Sequence, residues 1–590
     1  MKTYPQKTAI FPGSFDAITL GHVRTIESMA KTFPHLIVGM GTNKSKSYIF
    51  SLAERELLAR RALSHLKNVS VTSYSGMIVD YMVRNGLKFL VRGLRNVNDF
   101  TVALTQDDYG LSQNRLSSQI TVLYSPSLEA FRRVSSSSVK NLIEHAGYAY
   151  NEAPLSTIHA VQARKMGQYF YGITGIDGGG KSWLCKQFVV LGKQRGIPVV
   201  HIELDRLFNG IIGHESEPLF QDIRKQIAET FGSRLKQPDG SINRQALGRI
   251  LYESPHKRRV LNDLIHDTLL LRAKDMFMSQ KGLFLLDGSM LAETNKLFLC
   301  HNNVLLVDAT RETLKHNLST FEGLTSEQIE RRLKSPSTTL VKETMIREAQ
   351  TAERYGTLHR FKACHGTSTD MVEQAFEDML ETVDLFGELR ITAFLKQVQA
   401  YNPAEAYKEV VGFYNDNDRL QHNLFHIVSG LRPLKDSMRD LADPDATVLA
   451  WLLHDSAYNA QSQTNEEDSV EVMHNFVRKW GISPSLTDRS GPIILSSKHG
   501  VIPPETEDQR IMHDIDMLLF AQSRKDYIQT AQNMRREYGW ATDESWRKGR
   551  REFLQWLDRT GIYITAPFQR KYDRQARSNI AWECKTLTKS

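Results

Sequence analysis

Four cysteines in 590 residues, Cys185, Cys300, Cys364 and Cys584, lie far apart and form no C-x-x-C pair. That spacing argues against a disulfide framework and a cysteine zinc site, so a reducing compartment is expected. No apolar run approaches the roughly 20 residues that a membrane-spanning helix needs. The opening residues, Met1 to Lys7 leading into Thr8-Ala9-Ile10-Phe11, carry no apolar stretch of the secretory type, so a cytoplasmic protein without membrane association is expected. Internal repeats and low-complexity tracts are also missing, which argues against a solenoid or a fibrous chain. Excess charge is small: 75 Lys and Arg against 67 Asp and Glu leave +8 over the whole length. No basic stripe with interleaved aromatics stands out, so nucleic acid is not an expected partner; anionic small molecules suit the balance better.

What is present is ordinary globular composition, 41% hydrophobic and 24% charged, in a length suited to three or four domains of roughly 150 residues. Short apolar runs alternate with helical patterns through the first 150 residues, as at Leu36 to Met40 and Phe89 to Val91. The alternation restarts at Tyr169 to Thr174 and recurs at Val199 to Ile202, Leu283 to Leu286 and Val304 to Val307. Such alternation predicts two parallel α/β domains. Beyond about residue 390, 3.6-residue periods take over, as at Ala446 to Leu453 and Ile511 to Phe520, and predict an all-helical domain. The expected domains are 1–150, 166–388 and 398–590.

In the first, Phe11-Pro-Gly-Ser-Phe-Asp-Ala-Ile-Thr-Leu-Gly-His22 reads as a strand, a turn at Gly13 and a helix opening near Gly21-His22. A helix N-terminus attracts phosphate, and His22 there can hydrogen-bond a polyphosphate. Arg92-Gly93-Leu94-Arg95 follows a strand, and Ser135 to Ser138 precede a helix, supplying hydroxyls and N–H groups to an anion. With Ser45-Lys46, these ordered motifs resemble phosphopantetheine adenylyltransferase over residues 9–140. The resemblance implies a Rossmann-like nucleotidyltransferase that moves an adenylyl group from ATP to 4′-phosphopantetheine. It places Ser14, Phe15 and His22 at the ATP phosphates, and Lys46 and Arg92 at the transferring and pantetheine phosphates. Gly93, Arg95, Ser135, Ser136 and Ser137 line the nucleotide, and Ile78 lies with the acceptor. Ser14 stands where the family has Thr, Ala103 where it has Glu, and Arg132-Arg133 are unusual.

The second domain opens with Gly175-Ile-Asp-Gly178-Gly-Gly180-Lys181-Ser182, a G-x-x-x-x-G-K-S run between a strand and a helix. That context is what a P-loop needs: N–H groups around phosphates, Lys181 on the β/γ phosphates and Ser182 on Mg²⁺. Asp205, expected in the Glu203-Leu204-Asp205 run that ends the next strand, can take a proton from an acceptor hydroxyl. With Asn243-Arg244, Leu264-Ile265-His266 and Glu293, the region resembles dephospho-CoA kinase. The resemblance makes Asp205 the base and places Arg244 and His266 near dephospho-CoA. Asp267 replaces a proline. Lys315-His316-Asn317 stands where the family closes arginines over ATP, with Arg331 and Arg332 as candidate replacements.

The third domain carries His422-Asn-Leu-Phe-His426, His454-Asp455, Lys498-His499 and Asp514-Ile-Asp516 in order. At i, i+4, His422 and His426 are expected on one helix face. His454 and Asp455, adjacent on a helix, are expected to diverge by about 100°. Two imidazoles with two carboxylates suit a divalent first-row metal such as Mn²⁺ or Fe²⁺, or a mixed nitrogen–oxygen binuclear site. The set resembles the HD superfamily of metal-dependent phosphohydrolases. It implies His426, His454, Asp455 and Asp516 as ligands, Asp514 as rival to Asp516, His499 as a second-metal or substrate residue, His422 as general acid, and Arg419 and Lys498 at phosphate.

Together the chain resembles a fused coenzyme A synthase with an appended hydrolase, acting on 4′-phosphopantetheine, dephospho-CoA and ATP, its oligomeric state open. Two alternatives stay open: an adenylyltransferase–kinase of NAD synthesis, and a CoA- or ATP-sensing protein whose degenerate kinase controls the hydrolase.

Overall fold

The computed structural model describes residues 7–42, 46–74, 76–113, 117, 119–213, 215–252, 254–278, 280–322, 325–333, 339–364, 366–416 and 419–589. Two compact units divide the chain: residues 1–50 with 54–383, and residues 51–53 with 384–590.

The first unit contains two parallel sheets of five strands each. The first sheet comprises β1 (Thr8–Gly13), β2 (His35–Met40), β3 (Val69–Ser73), β4 (Phe89–Leu94) and β5 (Thr121–Pro126), in the order β3-β2-β1-β4-β5. Ile10 at its centre faces Ile37 on one side and Leu90 on the other. The chain leaves β1 to either side, so a crevice opens at the C-terminal ends of β1 and β4, the usual ligand position in such sheets. The second sheet comprises β6 (Gln168–Gly175), β7 (Val199–Glu203), β8 (Gly282–Asp287), β9 (Val304–Ala309) and β10 (Leu358–Ala363), in the order β10-β9-β6-β8-β7. All eight residues of β6 are buried, as a central strand covered on both faces requires. β6 ends at Gly175 with φ +153°, where a Cβ would lie 2.0 Å from the Val307 carbonyl oxygen. Only glycine lets β9 approach the start of the P-loop so closely.

Between β5 and β6 in chain order, the buried helix Leu155–Val161 stacks His159 on His301, ring centroids 4.7 Å apart. Burial pulls His159 down to about 4 and His301 well below the ordinary histidine range. Both are neutral when folded and titrate near ~6.5 when exposed. The unfolded chain therefore takes up more protons below that pH. The contribution is fully present above about pH 6.5 and is lost as pH falls toward 4. Urea midpoints of the first unit's transition should drop across that window. The double variant His159→Gln/His301→Gln should flatten the drop, and an unchanged slope would refute the assignment.

The second unit is helical, with no strand among its described residues. The helix Pro444–Leu453 is buried from Ala446 onward and lies against the helices Leu424–Asp436, Asn465–Trp480, Ser485–Leu495 and Glu507–Asp516. Gly430 makes one of these contacts possible: a Cβ there would sit 2.1 Å from the Trp451 ring. Trp451 Nε1 donates to the Ile427 carbonyl at 2.9 Å and fixes the pair of helices. No described helix in the chain is long and apolar enough to cross a membrane.

Candidate active sites

At the first crevice, Thr19 caps the helix Leu20–Thr32 and His22 closes a reciprocal capping box. The Thr19 N–H donates to His22 Nδ1 at 3.0 Å. An accepting Nδ1 leaves the proton of the neutral ring on Nε2, available to an anion. Burial, aided by Arg95, holds His22 at about 4, so the ring is neutral at physiological pH. Phe15, buried at φ +48°, packs edge-on against it at 5.2 Å. Ser135 caps a second helix, Ser136–Glu144. Ser136 Oγ donates to the Ala17 carbonyl at 2.7 Å and ties the two helix starts together, with Ser137 exposed in the first turn. The Ser14 carbonyl accepts from Arg55 at 2.7 Å.

The cations of β4 are engaged. Arg92 Nε lies 3.0 Å from Asp107 Oδ1 and Arg95 Nε 2.8 Å from Asp99 Oδ2, both acids on the helix Val97–Ser112. A phosphate reaching Arg92 meets a guanidinium already oriented by Asp107, which itself accepts from Tyr124. Sequence reasoning missed Asp107, since one acid on a helix fifteen residues away gives no signal. A Cβ at Gly93 would touch Phe11 at 3.1 Å. Ile78 opens the helix Ile78–Arg84 and packs on the Ile10–Leu90 core. Lys46 is exposed, and Ser45 lies outside the described residues.

The P-loop borders a cavity of about 770 Å³ whose wall includes Gly178, Gly180, Lys181, Ser182, Asp205 and Asp287. Lys181 Nζ donates to the Ile176 carbonyl at 3.0 Å. Ser182 Oγ donates to Asp287 Oδ2 at 2.7 Å. A hydroxyl paired with a strand-end carboxylate is a fitting seat for Mg²⁺. Asp287 also went unnoticed in the sequence, although its signal was an apolar strand ending in Asp-Gly. Asp205 lies in the first turn of the helix Leu204–Ile212, two residues past the strand rather than at its end. Its Oδ2 accepts from Ser289 N and Oγ at 3.3 and 3.2 Å. Burial pushes its pKa up, against the Ser289 bonds and Lys181.

Arg244 and His266 are not brought to this cavity. Arg244 is exposed at the start of the helix Arg244–Tyr252, and His266 packs toward Phe298 at 6.3 Å. His316 and Asn317 do line it, and Asn317 Nδ2 donates to the Gly178 carbonyl at 2.8 Å. Among the described residues the wall carries Lys181 and Lys186 and no arginine. The side chains of Arg331 and Arg332 lie outside the described residues.

In the helical unit, His426 Nε2 lies 3.3 Å from His454 Nε2 and 3.1 Å from Asp516 Oδ1. Asp455 Oδ2 is 3.3 Å from His454 Nε2 and 3.7 Å from His426 Nε2. His454 Nδ1 lies 2.9 Å from the Trp451 carbonyl, which leaves Nε2 facing His426 and Asp455. Two imidazole nitrogens and two carboxylates converging at these distances fit a first-row divalent ion. His499 Nε2 is 2.6 Å from Asp516 Oδ2, while its Nδ1 is buried without a hydrogen-bond partner.

Several expectations for this unit need correction. His422 does not share a helix with His426, because Asn423 caps the helix that begins at Leu424. His454 and Asp455 do not diverge: the helix ends at Leu453, and the turn swings both side chains inward. Asp514 is not a ligand candidate, because its oxygens accept from Ile564 N, Thr565 N and Thr565 Oγ1. Arg419 is not placed for phosphate; it donates to the Asp455 and Ser456 carbonyls at 2.6 and 3.1 Å and shapes the ligand turn. Lys498 lines the cavity of about 780 Å³ beside the cluster, with its ammonium held by Glu467 at 2.7 Å.

The partner of His422 was also missed. Glu537, almost fully buried, lies 2.7 Å from His422 Nδ1 and accepts from Leu420 N and Gln421 N at 2.6 Å. Burial lowers His422, but the Glu537 charge and hydrogen bond outweigh it and lift His422 to about 9.

The strand order, paired helix N-termini and P-loop define a nucleotidyltransferase followed by a P-loop kinase. A cytidylyltransferase-like family model matches residues 10–142, and a dephospho-CoA kinase model matches residues 169–346. Phosphopantetheine adenylyltransferase of Clostridium botulinum is 34% identical over 158 residues, 27% of this chain and 98% of that protein. The same enzyme of Borrelia garinii is 42% identical over 139 residues, 23% of this chain and 83% of that protein. Through this segment the chain belongs to the phosphopantetheine adenylyltransferase family. The solved structure of TT1252 from Thermus thermophilus covers 36% of this chain and 96% of its own, at 21% identity and a TM-score of 0.28.

Proposed function

We propose that the chain makes coenzyme A by adenylyl transfer from ATP to 4′-phosphopantetheine and then phosphorylation of the 3′-hydroxyl of dephospho-CoA. The observation that carries this reading is one compact unit holding two phosphate cradles in reaction order. The first is built on His22 and two helix N-termini, the second on Lys181, Ser182, Asp205 and Asp287. At the first cradle no covalent intermediate is needed. Ser14, His22 and Ser135 to Ser137 position the ATP phosphates, and Lys46 and Arg92 offset charge as pyrophosphate leaves. At the second, Lys181 holds the β/γ phosphates and Asp205 takes the hydroxyl proton. Mg²⁺ held by Ser182 and Asp287 supplies charge neutralisation.

Mass spectrometry of the full chain with 4′-phosphopantetheine, ATP and Mg²⁺ tests both steps. Accumulating CoA supports the reading. Dephospho-CoA that goes no further retargets the kinase, and turnover of nicotinamide mononucleotide instead would favour NAD synthesis. CoA binding without turnover would favour the sensing role, which the lack of arginine in the wall at His316 and Asn317 among the described residues supports.

We further propose that the helical unit is a metal-dependent phosphohydrolase, with His426, His454, Asp455 and Asp516 holding a Mn²⁺- or Fe²⁺-type ion. Such an ion supplies Lewis acidity toward a phosphoryl oxygen. His422, kept protonated by Glu537, gives its proton to the departing oxygen. Asp516→Asn should lower bound Mn²⁺ on the order of tenfold or more by metal analysis after gel filtration, with the helical circular dichroism unchanged. Equal metal content in variant and parent would refute the ligand set.

A further inference from the structure

A second cluster of metal-binding side chains lies beneath the P-loop. Cys185 on the helix Lys181–Gln194, His201 on β7 and Asp287 at the end of β8 bring one ligand atom each within 4.8 Å of one another. None of the three is at the surface: Cys185 is fully buried, Asp287 nearly so, and His201 largely covered. His201 Nε2 stands 3.1 Å from Asp287 Oδ2, the same oxygen that Ser182 Oγ reaches at 2.7 Å. A second cavity of about 440 Å³, lined by His201 with Arg206, Glu215 and Arg272, gives access to the imidazole. Thiolate, imidazole and carboxylate together favour Zn²⁺ over Mg²⁺, which prefers oxygen ligands and retains its waters.

We propose that Cys185, His201 and Asp287 form an inhibitory site for a thiophilic divalent ion of the Zn²⁺ type, which captures Asp287 and releases Ser182. Binding converts the Cys185 thiol to a thiolate, and its proton leaves to solvent. The imidazole proton moves to Nδ1, so that Nε2 can ligate. The fourth position falls to water, as in an open zinc site. The ion shares only Asp287 with the Mg²⁺ seat, so it competes with phosphoryl transfer while the adenylyl site is untouched.

Co²⁺ is the probe, because thiolate ligation gives a charge-transfer band in the near ultraviolet that the nitrogen–oxygen set around His426 cannot give. Titrating the full chain with Co²⁺ should produce that band, and Zn²⁺ should erase it. Cys185→Ala should abolish the band and His201→Gln should weaken binding on the order of tenfold or more, each variant leaving Mg²⁺-supported phosphoryl transfer intact when no Zn²⁺ or Co²⁺ is added. A parent chain without the band, or a Cys185→Ala chain that keeps it, overturns the proposal. The spectroscopic reading stands apart from catalysis, so an inactive kinase would not be mistaken for a missing site.

Discussion

Asp205→Asn should stall the chain at dephospho-CoA, with phosphoryl transfer slowed by roughly 10²–10⁴ and adenylyl transfer unchanged. The expectation follows from position and environment. Asp205 lines the P-loop cavity with Lys181, and burial raises its proton affinity toward that of a working base. Asparagine keeps the shape and can still accept from Ser289, so the local fold at residue 289 is preserved. What is lost is the ability to take the hydroxyl proton. A time course by mass spectrometry separates the steps within one tube: the dephospho-CoA signal should rise as in the parent while CoA lags. CoA forming at the parental rate would show that another group is the base and that Asp205 only orients Ser289.

His22→Ala should slow adenylyl transfer by roughly 10²–10³, the effect of removing one preorganised donor from a developing charge. The Thr19 N–H fixes the ring as the Nε2–H tautomer, and burial keeps it neutral with a pKa of about 4. Two results follow for pyrophosphate release. The parent rate should show no His22 titration between about pH 5.5 and 8, because the donor carries the same proton throughout. The variant should be slow across that whole range. A parent rate that rises as pH falls through ~6.5 would mean the protonated ring is the active form and would overturn the neutral-donor assignment. The substitution also removes half of a capping box, an effect of about 1 kcal/mol on stability. A melting curve separates that loss from the catalytic one.

Contiguity decided what the sequence could disclose. The P-loop is legible because its glycines, Lys181 and Ser182 adjoin one another, between runs whose periods change from strand to helix. The partnership of Asp287 with Ser182 is not, because the two meet only through the pairing of β6 with β8, across 105 residues. The three strands not singled out beforehand, β3, β5 and β10, sit at or beside sheet edges, where partial exposure dilutes the apolar run. In the helical unit the ligand types were legible and their geometry was not. Asp514 and Asp516 are two residues apart and look equivalent until the turn at Thr565 claims Asp514. His422 looks helical by spacing, yet Asn423 starts the helix after it. Glu537 holds His422 from 115 residues away, and no local pattern marks it.

The P-loop's attachments have a consequence for the entropy of nucleotide binding. Gly175 is pressed against Val307 at its start, Asn317 holds the Gly178 carbonyl, and Lys181 folds back on Ile176. Fixing a residue's backbone costs about 1–2 kcal/mol in conformational entropy. Here that ordering takes place when the sheet forms, before any nucleotide arrives. ATP therefore meets a cradle already frozen in shape, and its affinity reflects phosphate contacts with little deducted for ordering the loop.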